Sequence, residues 1–160
     1  MKNNNYLFIQ KKILQNWIED QSLSSLINNS EEIILFPETI YIYQKYRNVS
    51  EFHRIYGSFN IVESLRICMD IFNSEDYVYI LCNLIVKNID NYSISDKYFP
   101  IFKINTTQLF DWFNLAFKKE YVSLYIFSIN NDNFLEISLM DDEYGTKHYH
   151  FTTNKIGLIR

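Results

Sequence analysis

The stretch DDEYGTKHYH, residues 141–150, sets Asp141, Asp142, Glu143 and Tyr144 ahead of a glycine and then places His148 and His150 one residue apart. No other stretch of the chain concentrates as much chemistry. Side chains alternate across a strand, so the two imidazoles of an H-x-H pair leave on the same side. Two imidazoles with a third ligand from Glu136, Asp141, Asp142 or Glu143 would suit a divalent metal. The same groups would also suit acid/base cleavage of a phosphodiester, because histidine titrates near neutral pH. A third use is recognition, with Tyr144 as an anchor inside an acidic rim. The plain alternative is a cross-strand carboxylate–histidine pair under a covering helix, which implies no function.

These residues must be positioned by the three strands expected at 121–129, 133–140 and 146–152, joined by the turn sequences NNDN and DDEYG. Pairing Asn130 with Asn133 puts Ile126 opposite Ile137 and Leu124 opposite Leu139, which defines a core face. Tyr125, Phe127, Glu136 and Ser138 then share the other face. Closing 141–145 as a loop sets Tyr149 against Ile137 and Phe151 against Leu135, so His148 and His150 fall opposite Ser138 and Glu136. The predicted working surface is therefore Tyr125, Phe127, Glu136, Asp141, Asp142, Glu143, Tyr144, His148 and His150, with its aromatics exposed.

Upstream, apolar residues from Leu7 to Ile18 recur at helical spacing and predict a helix over 5–20, extended by a turn through Leu26 and Ile27. EEIILF and TIYIYQKY flank Pro37, and their β-branched and aromatic content predicts two strands or one bent strand. FHRIYGS is expected as a further strand. Asn60 followed by Glu63 begins a helix over 60–73, with Ile61, Leu65, Cys68, Ile71 and Phe72 on one face. A strand over 77–87, a polar loop over 88–97 and a strand over 99–104 follow. Thr106 or Thr107 is expected to cap a third helix whose Leu109, Phe110, Trp112, Phe113, Ala116 and Phe117 form a core stripe. The sum is α+β, one domain over 1–160, with about three helices on a mostly antiparallel sheet ending in a three-stranded meander.

The 160 residues suffice for a substantial core, since a chain of this length buries roughly 70% of its unfolded surface. A net charge of −4 without a basic run longer than two argues against direct nucleic-acid binding. The start lacks the apolar core of an export signal, and the longest apolar run, YVYILCNLIV, is too short to span a membrane, so a cytoplasmic location is expected. Cys68 and Cys82 have no zinc-type spacing and are expected as a reduced, buried pair, although a disulfide between them stays open. No phosphate loop, nucleophile elbow or dinucleotide turn is present, and no cofactor is expected. The 13 Tyr and 13 Phe suit strands and interfaces, and such a composition also follows from an AT-rich gene.

Two resemblances bear on function. His150-Phe151-Thr152 resembles the H-x-T element of two-histidine phosphoesterases, a family that carries the motif twice, whereas His53 here precedes Arg54 and Ile55. In overall character, a small, acidic, Tyr-, Phe- and Asn-rich single domain, the chain resembles immunity proteins of bacterial polymorphic toxin systems, including those of contact-dependent growth inhibition. That resemblance implies a non-enzymatic inhibitor that binds a cognate toxin, a basic nuclease domain in particular, with acidic residues standing in for the nucleic-acid backbone. Asp141, Asp142 and Glu143 are the first candidates, with Asp132 at the NNDN tip and Glu31 and Glu32 after them. The alternative is a small metal- or histidine-dependent phosphodiesterase working through His148 and His150.

Overall fold

The computed structural model describes residues 3–48, 53–57, 61–84, 98–118, 121–141, 144 and 147–155. Helix α1, Asn3–Glu19, buries Gln10, Ile13 and Trp17, which recur at three and four residues and so share one face. It does not extend through Leu26. The Asp20 side chain accepts from the Ser22 N–H at 2.9 Å and opens a separate helix α2, Gln21–Asn28, which buries Leu23 and Ile27. A short strand β1, Glu32–Ile34, follows.

The largest departure from expectation is TIYIYQKY. It forms helix α3, Glu38–Arg47, in place of a strand. Thr39, Tyr43 and Tyr46 are buried while Tyr41, Gln44 and Lys45 are exposed, a spacing of four and three that belongs to a helix. The Ile/Tyr alternation imitates a strand. Packing against the sheet overrides that local preference. Pro37 precedes the first turn, where its missing N–H costs nothing.

FHRIYGS supplies β2, His53–Gly57, as expected. Helix α4, Ile61–Ile71, lies within the predicted 60–73, while the proposed cap Asn60 is outside the described residues. β3, Tyr77–Leu84, covers most of the predicted 77–87, and the loop 88–97 also lies outside. β4 is Ile101–Asn105. The cap that follows is Asn105, one residue before the expected threonines. Its Oδ1 accepts from Thr107 N at 3.0 Å, and Gln108 Oε1 accepts from Asn105 N at 3.0 Å, a reciprocal capping box. A 3-10 turn, Thr106–Gln108, then leads into α5, Leu109–Lys118, which buries Leu109, Trp112, Phe113 and Leu115 but leaves Phe110 exposed. β5, Tyr121–Ser128, β6, Phe134–Asp141, and β7, Lys147–Thr153, complete the chain close to their predicted bounds.

The described strands make one seven-stranded sheet in the order β1-β4-β3-β5-β6-β7-β2, antiparallel at every described pairing. The architecture is α+β with five α-helices among the described residues, two more than expected. Phe102 on β4 lies against both Trp17 of α1 and Trp112 of α5, and α4 and α5 pack on β6 and β5 of the same face. α3 covers the opposite face over β5 and β6. The central strands therefore lie between two apolar layers: Val78, Ile80, Leu81 and Cys82 of β3 are all buried, and so is every residue of β5 from Ser123 to Ser128. Cys68 and Cys82 are free and fully buried, and no disulfide joins them. Among the described residues no helix is long and apolar enough to cross a membrane.

Candidate functional site

The C-terminal meander forms with the predicted faces but with both registers displaced by two residues. Leu124 lies opposite Ile137 and Tyr125 opposite Glu136, where Leu124 against Leu139 was expected. Across β6 and β7, Ser138 lies opposite His150, Met140 opposite His148 and Glu136 opposite Thr152. The five-residue connection is 142–146, one residue later than DDEYG itself, because Asp141 pairs with Lys147 inside the ladder. A shift of two preserves the inside and outside of every strand. Neither histidine faces Glu136.

The aromatic surface expected to be open is closed. Tyr125 and Phe127 are 4% and 5% exposed because α3 lies over them. Tyr46 inserts edge-on against Phe134 at 4.2 Å, with Tyr125 and Phe127 each 5.7 Å away, and Tyr43 meets Tyr125 at 5.8 Å. Such edge-to-face contacts put the positive ring edge on the negative face of its neighbour. These rings are core. The Tyr46 hydroxyl donates to Glu136 Oε2 at 2.7 Å, and Ser138 Oγ donates to Glu136 Oε1 at 3.0 Å. Both carboxylate oxygens are thus engaged within the fold, and the carboxylate serves to seat α3 on the sheet.

What remains open lies at the β6–β7 end. Tyr144 is 85% exposed in the turn, the largest exposure among the large hydrophobic side chains described. His150 is half-buried beside Ser138, and Asp141 ends β6. Asp142 and Glu143 lie outside the described residues, as do the side chains of Asp141 and His148. Among the described residues no three His, Cys, Asp or Glu side chains converge on a common point. His53 stands on β2 opposite Thr153, on the other face of the sheet from His150. Glu31 and Glu32 are exposed at the β1 edge, where Glu32 pairs in register with Lys103.

The opposite end of β6 carries an arrangement that sequence reasoning missed. Glu75 follows α4, is 5% exposed, and accepts from Ser128 Oγ, from Asn131 Nδ2 at 2.8 Å and from Asn130 Nδ2 at 3.2 Å. Among the described residues no cation pairs with it. Three donors from the β5–β6 turn stand in for water around a desolvated carboxylate. In front of this turn, Lys45 of α3 donates to Asn131 O at 3.2 Å and meets Asp132 at 2.9 Å. Lys45, Tyr46, Phe127, Asn131, Asp132 and Phe134 line a shallow surface recess of about 20 Å³. The only signal in the sequence was Asp132, picked out as a charge on a turn. The residues around that turn come from α3 and from the segment after α4, at a separation no local pattern reveals.

Compared with known proteins, the chain matches no family model, no curated protein and no solved structure.

Proposed function

We propose that the protein is a non-enzymatic inhibitor that neutralises a cognate bacterial toxin in the cytoplasm through one-to-one protein binding, the toxin being a basic domain such as a nuclease. The observation that carries this reading is Tyr144, 85% exposed at the head of the β6–β7 turn and preceded in sequence by Asp141, Asp142 and Glu143. A rigid amphipathic ring projecting from a turn between two ladder strands suits a buried anchor in a partner, and tyrosine is enriched at such positions. The acidic run and the net charge of −4 favour a basic partner and speed encounter more than they hold the complex. Tyr125, Phe127 and Glu136 take no part, since they hold α3.

The test is co-expression with the product of the adjacent upstream gene, followed by calorimetry on the purified pair. Rescue of growth with a tight one-to-one complex is expected, and Tyr144→Ala should weaken that complex about 30-fold, the scale of an interface hot spot. Toxicity that this protein neither relieves nor binds would sink the reading. The competing phosphodiesterase, working through His148 and His150, makes the opposite demand. Replacing both histidines by alanine should then abolish hydrolysis, whereas an inhibitor would lose at most part of its affinity.

A further inference from the structure

We propose that Tyr6 and Tyr98 are an oxidative modification site, at which a peroxide-driven one-electron oxidant couples the two rings through a Cε–Cε bond into an intrachain dityrosine. The stack decides the partners. Tyr6 of α1 and Tyr98, just ahead of β4, lie with ring centroids 4.1 Å apart and planes 7° from parallel. A hydrogen bond between the two side chains also pushes the Tyr6 phenol up from its ordinary value near 10. Hydroxyls that meet across a parallel stack bring like ends of the rings together. Each Cε, the carbon beside the one that bears the hydroxyl, then faces its counterpart at roughly the stacking distance.

Access and alignment single out this pair. Tyr6 and Tyr98 are both partly exposed. Among the described residues the other tyrosine contacts join Tyr43, Tyr46 and Tyr125, which are buried and meet one another tilted or edge-on. There neither an oxidant nor a matching carbon is within reach.

Both rings are also held against α1. Phe36 packs on Tyr6 at 5.8 Å, and its backbone N–H donates to Oε1 of Gln10, a fully buried side chain one turn along the helix. Gln10 Nε2 in turn donates to Thr39 Oγ1 at 3.0 Å. Next to Tyr98, Phe99 is fully buried against Trp17 of the same helix, with ring centroids 6.0 Å apart. Two reactants fixed in this way meet at a high effective concentration.

In the reaction each phenol gives up one electron and its hydroxyl proton, and the unpaired spin spreads to Cε. The two carbons bond, each releases its hydrogen as a proton, and both phenol oxygens take a proton back. The net loss of two electrons and two protons reduces one hydrogen peroxide to two waters. The product staples α1 to the segment entering β4, which is distant in sequence, and so restricts the unfolded chain as a disulfide does. Neither residue belongs to the β6–β7 turn, so the proposal does not depend on the inhibitor reading.

The experiment treats the full chain, at low micromolar concentration, with a haem peroxidase and limiting hydrogen peroxide, and reads dityrosine emission, intact mass and a tryptic map. The expected product is a monomer lighter by two hydrogen atoms, with peptides 3–11 and 98–103 joined. Tyr6→Phe or Tyr98→Phe, each of which keeps a stacked ring, should cut the emission about tenfold, whereas Tyr41→Phe, at an exposed tyrosine of α3, should leave it unchanged. The cross-linked monomer should melt about 5 °C above the untreated chain. No emission, emission that survives both stack variants, cross-linked dimers in place of the monomer, a map that joins other tyrosines, or an unchanged melting point would each overturn the proposal. None of these outcomes bears on growth rescue, so this proposal and the inhibitor reading fail separately.

Discussion

Tyr46 joins α3 to the sheet through both its ring and its hydroxyl. Its ring fills the space between β5, β6 and α3, and its hydroxyl ties the helix to Glu136. Removing only the hydroxyl, by Tyr46→Phe, leaves the packing and deprives a half-buried carboxylate of one of its two donors. A loss of about 1–2 kcal/mol in urea unfolding is expected, near the lower end for hydrogen bonds to charged groups because the site is only partly buried. A change within experimental error would mean that solvent replaces the hydroxyl and that Glu136 is no anchor. The cysteines make a second prediction at this scale. Burial alone pushes both thiols up from their ordinary value near 8.5. A thiol whose folded pKa is raised stays protonated in the native state while the unfolded chain ionises, so stability should be full below about pH 8.5 and fall progressively above it. Double replacement by alanine or serine perturbs packing at neutral pH, so the diagnostic is the slope. It should flatten in the variant. A native protein whose two thiols react promptly with Ellman's reagent at pH 8 would contradict the burial itself.

At the scale of elements, α3 separates what the sequence revealed from what it hid. The three C-terminal strands and α4 were legible because their apolar residues follow one period without interruption, and the faces of the meander survived an error of two in register because a shift of two is invisible to alternation. The registers themselves were not legible, since a turn sequence such as NNDN admits several closures and ladder pairs decide between them. α3 was hidden because Ile40, Tyr41, Ile42 and Tyr43 alternate like a strand, and only the sheet beneath shows that Thr39, Tyr43 and Tyr46 are the buried set. The clue available was indirect. β3 and β5 read as nearly continuous apolar runs, which belong to strands covered on both faces, so a second layer had to exist. The candidate surface inherited that error, for Tyr125 and Phe127 lie under the missing helix. If α3 is that layer, Tyr43→Ala should destabilise the protein by about 3 kcal/mol, in the range of large-to-small changes in a core. It should also raise amide exchange in β5 relative to β4. A cost below about 1 kcal/mol would show a helix resting loosely on the sheet.

For the molecule as a whole, the two ends of β6 have different characters. One bears an exposed tyrosine in an acidic stretch, the other a buried carboxylate, a tethered lysine and a shallow recess. An interface using the first is expected to lose association rate as salt rises, because the acidic run acts at a distance and is screened. Stopped-flow mixing of the pair at two ionic strengths would check this, and a salt-independent rate would remove the charge from the account.

The strand order carries a further consequence. β2 lies at one margin of the described sheet and, among the described residues, pairs only with β7, which is nearly a hundred residues later in the chain. While the protein is being made, residues 53–57 must wait for 147–153 to leave the ribosome, roughly 5 to 20 s at ordinary rates of synthesis. For that interval a strand-forming segment has its backbone donors and acceptors without the partner that the finished fold supplies.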